Sequence, residues 1–592
     1  MKASDYVSLA LARKGISHVF GHPGGAVTHL LDSIDKEPNL EFVLLHHEQA
    51  AAFAAEGYAR VSGNIGVAIA TSGPGATNLI TGIGSAYFDS IPCLYITGQV
   101  NSYEYKMGSP VRQVGFQETD IVSIVTPIVK HAQLLLDASQ IPHDLSNAMR
   151  ICTSGRPGPV LLDMPMDIQR GNVDAAESDL EAHWTPPTPA EPLSGAVEQV
   201  CRMLTSAGRP VIVAGGGISI SGAGDLLRRL VDLTGIPVVC TLTATDCLAS
   251  DEPAFLGLAG VYGHRYANLA VANADVLLAI GTRLTSRQTG TRRDLYVRNG
   301  KIIHVDIDPL EIGREIRADV AIVSDAGTFL KELLASLEGK SLPSLEGKGL
   351  PSLAKWRDWI DEVRRRYKTS STYLGKGINP HDVMGAASNI TSPGDVVAVD
   401  VGQNQIWAAQ SFRPRAGVRV MISGGMAPMG FALPAVLGAY MARPHARPMV
   451  ITGDGGLQMN IQELETIMRN RVPAIIVVMN NRSLGLIRQF QDMYFAGRHC
   501  GSVDGYSAPD FQRIAEAYGL RAITVGDPSD VEPAFEEASS ERQPVLLNIL
   551  IDQQSDALPK LEVSMPLEDQ HPRLDPCELR KLVFRPERGD TL

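Results

Sequence analysis

Asp454 and Asn481 are the residues whose type and setting speak most directly of chemistry. Asp454 lies inside Gly453-Asp454-Gly455-Gly456, and Asn481 closes the pair Asn480-Asn481. Both offer hard oxygen donors. Mg²⁺ takes few such protein ligands and completes its shell with phosphate oxygens and water. The glycines beside Asp454 let the backbone approach a phosphate closely, and a helix starting there turns its N–H groups and positive dipole end toward it. A Gly-Asp-Gly triplet alone is most often just a turn, so the flanking pattern carries the reading.

That pattern is strand, turn, helix, strand. Met449 to Thr452 is a mostly apolar run, Ile461, Leu464, Ile467 and Met468 recur at helical spacing, and Ala474 to Met479 is a short β-branched run ending at Asn480-Asn481. Asp454 then sits at the carboxyl end of a parallel strand, the ligand edge of such a sheet.

The 592 residues suffice for about three domains. With 44% hydrophobic and 20% charged residues the composition is ordinary globular material, and a net charge of −12 gives no footprint for nucleic acid or an anionic membrane surface. The 7 cysteines are scattered with no Cys-x-x-Cys pair, which indicates neither a disulfide framework nor a zinc site and fits a cytoplasmic setting. No apolar run reaches membrane-spanning length. Tyr6, Val7, Leu9, Ala10 and Leu11 read as an amphipathic helix rather than a targeting segment.

Strand and helix patterns alternate along the chain, which predicts an α/β protein of three doubly wound parallel-sheet domains. The expected divisions are an N-terminal domain over 1–180, a central Rossmann-like domain over 190–335, a linker over 336–354, a C-terminal domain over 355–555 and a tail over 556–592. The linker contains the tandem SLEGKSLP-SLEGKGLP. The tail is expected over the third domain or a partner subunit. Strand-then-glycine units at 210–217, 275–281 and 302–308 lack a full Gly-x-Gly-x-x-Gly, so spacing leaves open whether the central domain binds a nucleotide or is purely structural.

The Gly-Asp-Gly…Asn-Asn stretch resembles the diphosphate-Mg²⁺ motif of thiamine-diphosphate enzymes. HEQAAAFAAEGYAR at 47–60 resembles their glutamate segment, and the match narrows to the acetolactate synthase (acetohydroxyacid synthase) large-subunit group. FGHPGGAV at 20–27, TSGPGATN at 71–78, GFQETDI at 115–121, VGQNQIWAAQ at 401–410 and MISGGMAPMGFALPA at 421–435 look like that group's landmarks. GLAGVYGHRYAN at 257–268 and GTRLTSRQTG at 281–290 resemble its FAD-holding segments.

The resemblance implies that Glu48 activates thiamine diphosphate through the aminopyrimidine ring. It implies that Asp454, Asn481 and the backbone oxygen of Ser483 bind Mg²⁺. Gln403, Asn404, Gly453, Gly455, Gly456 and Gly485 would meet the diphosphate, and Met429 would support the bent cofactor. Gln117 and Gly25 would line the reaction centre, Gly216, Arg283 and Asp306 would hold FAD, and Arg287 would read the acceptor's carboxylate. The family places its equivalents of Glu48 and Asp454 in one site on different subunits. A homodimer or homotetramer follows, with room for a regulatory subunit.

Four positions depart from the family. Phe490 replaces a tryptophan that discriminates 2-ketobutyrate, Thr285-Ser286 replaces an acidic pair, the loop from Asn101 to Gly115 is longer, and Asn404 replaces a histidine. The expected reaction is decarboxylation of a 2-keto acid, pyruvate foremost, and ligation of the two-carbon unit to an acceptor carbonyl. Three rivals accompany it: a carboligase for another acceptor such as a keto-sugar nucleotide, a flavin-dependent pyruvate oxidase, and a non-catalytic scaffold, against which Glu48, Asp454 and Asn481 speak. His22, His46 and His47 read as wall residues, Met421 and Met426 as core, Trp407 as helix packing, and Cys500 as a thiol of no assigned role.

Overall fold

The computed structural model describes residues 1–174, 193–339, 353–373 and 375–584. The prolines at 186, 187 and 189 and the tandem repeat beyond residue 339 lie outside the described residues.

Short β-branched runs separated by helices favour parallel pairing, because the intervening helix supplies the crossover that a parallel return to the sheet needs. The first sheet takes β1 (His18–Gly21), β2 (Glu41–Leu44), β3 (Gly66–Ala70), β4 (Cys93–Gln99), β5 (His131–Leu134) and β6 (Val160–Pro165) in the order β2-β1-β3-β4-β6-β5. The middle sheet takes β7 (Pro210–Ala214), β8 (Val238–Cys240), β9 (Phe255–Leu258), β10 (Val276–Ile280), β11 (Lys301–Asp306) and β12 (Val320–Val323) in the order β12-β11-β10-β7-β8-β9. The third takes β13 (Val396–Val399), β14 (Arg419–Ile422), β15 (Pro448–Gly453), β16 (Ile475–Asn480), β17 (Arg521–Val525) and β18 (Val545–Leu550) in the order β14-β13-β15-β16-β18-β17. Every pairing in these three sheets is parallel.

The first and third sheets therefore share one strand order, and the middle sheet has the dinucleotide-fold order. In such sheets ligands bind beyond the carboxyl ends of the strands, where the strand order reverses. Those switch points fall between β1 and β3, between β7 and β10, and between β13 and β15.

The first and third domains share one hydrophobic core, which joins Phe20 and Phe53 to Phe431, Val450 and Ile476. At its centre the alanine-rich helix Glu48–Ser62 lies against Ala432–Ala442. Both are buried almost all round, which their small residues permit. The backbones approach so closely that a Cβ on Gly57 would stand 2.0 Å from Ala435 O, and one on Gly438 would stand 1.8 Å from Ala54 O. A buried charge cluster ties the same two domains. Arg60 pairs with Glu56 at 2.6 Å and Asp89 at 2.7 Å, and Asp89 accepts from the backbone N–H of Gly424 and Gly425.

The structure differs from the sequence expectations at two joints. Residues 336–339 close the helix Ala326–Gly339 rather than opening a linker, because Leu333, Leu334 and Leu337 are buried along one helical face. The tail crosses the middle domain, where Leu561, Leu567 and Leu582 join its hydrophobic cluster. Helix Ala354–Arg366 lies there too, with Trp356 Nε1 donating to Pro210 O at 3.2 Å. The tail's first residues also touch the third domain, where Gln489 Nε2 donates to Ala557 O.

Candidate active site

The third domain's switch point gathers most of the candidate residues. β13 runs into Asp400-Val401-Gly402-Gln403-Asn404, and β15 runs into Gly453-Asp454-Gly455-Gly456, where helix Asp454–Met459 begins. β16 ends at Asn480, so Asn481 arrives from the next strand. The turn is closed by Arg482 in the left-handed region at φ 53°.

Side chains fix this cradle. Asn481 donates to Gln403 Oε1 at 2.8 Å, and its own Oδ1 accepts from Ser483 N–H and Oγ at 3.1 and 3.2 Å. Gln403 Nε2 donates to Ser555 O, and Asn404 Nδ2 donates to Asp400 O, both at 2.7 Å. Gly485 is confined: a Cβ there would stand 1.9 Å from Gln403 Oε1. The Met429 methyl lies 3.1 Å from the Cβ position of Gly455, so Met429 walls the same turn.

Asp454 is buried, and its Oδ2 has no hydrogen-bond partner among the described residues. Burial pushes its carboxyl up to about 6, against the pull of the Tyr506 hydroxyl and neighbouring backbone N–H groups. An unpartnered buried carboxylate oxygen, an amide oxygen and a glycine-walled turn fit a small hard cation and the phosphates it carries.

Glu48 begins its helix at the carboxyl edge of the first sheet and is 8% exposed. Asn78 donates to its Oε2 at 2.9 Å, and Oε1 lies 3.1 Å from the Cβ position of Gly75. The turns of that switch point interlock, with Ala26 N–H donating to Thr71 Oγ1 at 3.1 Å. Gly25 faces open space, with no atom within 4 Å of its Cβ position. Gln117 holds φ 63°, and its carbonyl oxygen lies 3.0 Å from the Cβ position of Gly73. Gly25, Glu48 and Gln117 thus surround the 71–78 turn. Among the described residues no hydrogen bond joins Glu48 to the third-domain cradle of the same chain. Its neighbours dock instead: His46 N–H donates to Glu463 at 3.0 Å, and Asn460 Nδ2 donates to Gln49 at 3.4 Å.

The middle domain's switch point opens on a cavity of about 370 Å³, lined by Gly216, Arg283, Arg287, Gln288 and Asp306, with Arg156 and Asp89 across from them. Gly217 and Gly281 nearly touch, at 2.7 Å from Cβ position to Cα, so β7 and β10 deliver backbone directly to its floor. Burial raises the Asp306 carboxyl above its ordinary range. Gln288 Nε2 is buried without a partner among the described residues. The volume and the orphaned donor fit an organic cofactor with polar edges.

Some sequence readings are corrected. Met426 is not core: it is 39% exposed, because it sits at the rim of the Gly424-Gly425 loop with its methyl at the Cβ position of Gly84. Phe490 is 44% exposed on helix Gly485–Tyr494, its ring against Tyr494 and Phe495 at 4.7 and 5.9 Å. Trp407 and Met421 are buried. His22 bonds Leu45 O at 2.8 Å, and His47 caps the Glu48 helix through Gln49 N–H at 3.0 Å.

Sequence reasoning missed Asp400 and Tyr506. Asp400 accepts from Gly430 N–H, Phe431 N–H and Thr452 Oγ at 3.0, 3.1 and 2.9 Å, so it fixes the bend that carries Met429. Burial pushes its carboxyl up to about 6. An aspartate ending the apolar run Val396–Val399 was the available signal. Tyr506 is remote in sequence from Asp454 and left no signal.

Three family models match the chain in order. They are the N-terminal TPP binding domain of thiamine pyrophosphate enzymes over residues 1–124, the central domain over 197–333 and the C-terminal TPP binding domain over 400–549. A probable acetolactate synthase large subunit from Methanocaldococcus jannaschii is 39% identical over 573 residues, covering 94% of this chain and 93% of the relative. Acetolactate synthase 1, chloroplastic, of Zea mays is 37% identical, covering 95% and 87%. The acetolactate synthase isozyme 3 large subunit of Escherichia coli K12 is 37% identical, covering 91% and 92%. The chain is a thiamine pyrophosphate enzyme and belongs to the acetolactate synthase large-subunit family.

Proposed function

We propose that this enzyme decarboxylates pyruvate and joins the two-carbon unit to the carbonyl of a second pyruvate, giving 2-acetolactate. The unpartnered, buried Asp454 oxygen in the third domain's cradle carries the reading. The relatives' names favour ligation over oxidation.

Asp454, Asn481 and the Ser483 backbone oxygen would hold Mg²⁺, and the backbone of Gly455 and Gly456 would receive the diphosphate, while the Asn404 amide is turned to Asp400 O and Ile451 O and braces the turn. Gln403 and Gly485 brace Asn481, Gly453 sets the strand end, and Met429 walls the turn. When bound, thiamine diphosphate supplies the electron sink that loss of CO₂ requires. Glu48, oriented by Asn78, would meet the aminopyrimidine ring and exchange a proton with it through its carboxylate. Gln117 and Gly25 shape the space for the reacting carbons, and Arg287 binds the acceptor's carboxylate. FAD would occupy the cavity beside Gly216, Arg283 and Asp306, where Gln288 offers a free donor.

A homodimer completes the site. Supporting it are the exposed apolar side chains of Tyr103, Met107, Val114 and Phe116 on the loop that leads to Gln117. Phe116 is 87% exposed, which a second copy would cover. All 7 cysteines are free, as in a reducing cytoplasm, and among the described residues no helix is long and apolar enough to cross a membrane.

Incubation with thiamine diphosphate, Mg²⁺, FAD and pyruvate tests the reading by product analysis. One acetolactate per two pyruvates is expected. CO₂ without acetolactate would overturn it.

A further inference from the structure

Lys560 is a buried cation without an anion. It is 5% exposed, and among the described residues it makes no ion pair. Among the described residues its one hydrogen-bond contact is Met493 Sδ at 3.2 Å, a weak acceptor for a group with three donors. Three aromatic rings surround it instead: Phe490 at 5.3 Å, Tyr494 at 5.6 Å and Tyr262 at 5.9 Å. Burial holds its ammonium below the ordinary lysine range, and Asp556 and Glu562 oppose this from a distance. A buried charge left with spare donors is costly, so the structure keeps it for something that arrives.

Backbone bonds connect this cation to the cavity. Leu561 N–H donates to Val261 O at 2.7 Å, and Val261 N–H donates to Arg287 O at 2.9 Å. Tyr262 and Arg287 both line the cavity, and Lys560, which does not, lies behind the Tyr262 ring at 5.9 Å. Arg287 is exposed and likewise makes no ion pair among the described residues. Thr285 and Ser286 beside it are uncharged. Two unneutralised cations with an aromatic wall between them suit a ligand with two anionic groups.

We propose that Lys560 is a specificity-determining residue of the acceptor pocket, a second cation beside Arg287, and that the pocket takes a 2-keto acid bearing a second anionic group in preference to one with an alkyl tail. The proposal rests on the ligation reading above. In that reaction pyruvate loses CO₂ and takes up one proton, one carbon–carbon bond forms to the acceptor's carbonyl carbon, and the proton ends on its oxygen.

The test pairs binding with turnover in wild type, Lys560→Met and Lys560→Arg. Calorimetry of the cofactor-loaded enzyme measures affinity for 2-oxoglutarate, 3-phosphohydroxypyruvate and 2-ketobutyrate, and competition assays with pyruvate as donor measure acceptor kcat/KM. Wild type should favour at least one dianion over 2-ketobutyrate, and the two dianions distinguish a carboxylate from a phosphate. Lys560→Met should weaken that dianion on the order of tenfold through KM while leaving 2-ketobutyrate and CO₂ release from pyruvate alone within about twofold. Lys560→Arg should restore the preference. Equal affinity for dianions and 2-ketobutyrate in wild type, or a Lys560→Met loss that strikes every acceptor alike, would overturn it. A wild type that releases no CO₂ would refute the decarboxylase reading, and the calorimetric comparison would still decide the role of Lys560.

Discussion

Replacing Gly57 with alanine would show whether backbone contact between two helices holds the first and third domains together. The new Cβ would stand 2.0 Å from Ala435 O, 2.7 Å from its carbonyl carbon and 2.9 Å from its Cα. Comfortable carbon–oxygen approach begins near about 3.3 Å, so the helices must part by roughly 1.3 Å at that point. A gap of about 0.5–1 Å already forfeits roughly a quarter to a half of the dispersion well, and 11 of the 15 residues of helix Glu48–Ser62 are buried. The atoms met are backbone, which no rotamer change can move aside. We expect a loss of about 3 kcal/mol or more, which for a domain of this size is a fall of roughly 6–12 °C in its unfolding midpoint. Gly385→Ala is the control. Gly385 lies in helix Pro380–Asn389 with nothing within 4 Å of its Cβ position, and alanine there should stabilise by about 0.5–1 kcal/mol. Thermal unfolding followed by circular dichroism reads both. A Gly57→Ala protein within about 1 kcal/mol of wild type would refute the packing argument.

Glu48→Gln keeps the Asn78 contact but cannot hold the proton. CO₂ release should fall by about 10²–10⁴-fold, with thiamine diphosphate affinity nearly unchanged by calorimetry. Asp454→Asn removes a charged oxygen donor, and the Mg²⁺ concentration for half-maximal cofactor binding should rise by roughly tenfold or more. Asp163 is 1% exposed, accepts from Thr97 and Gln99, and is pushed up to about 7 by burial. Because its folded pKa lies above the unfolded value, the native state binds the extra proton, and stability falls as pH rises from about 4 to 7. Asp163→Asn should gain on wild type across that window by up to about 4 kcal/mol, the cost of ionising a carboxyl that the fold holds protonated up to about pH 7, read as the difference in unfolding midpoints. A gap that does not change with pH would exclude this role.

What the sequence made legible is what geometry forces locally. A strand ending in Gly-Asp-Gly-Gly has to expose Asp454 at the ligand edge, and a strand ending in Asn-Asn has to bring Asn481 beside it, because β15 and β16 are neighbours. The alternation of strands and helices dictated parallel sheets, and in any such sheet the functional turns collect where the order reverses. Gly25 with the 71–78 turn, Gly216 with Arg283, and Asn404 with Asp454 are that one rule in three domains. Long-range encounters were not legible. Tyr506 against Asp454 and Lys560 against Tyr262 join residues whose partners are set by how loops and the tail fold back, and no periodicity encodes that. Phe490 shows the consequence. Its helix could be inferred, but its neighbours could not, and they include the caged cation Lys560. The residues hardest to foresee are thus those placed for specificity, because the fold fixes the cofactor's position through its switch points and leaves the acceptor's surroundings to loops and the tail.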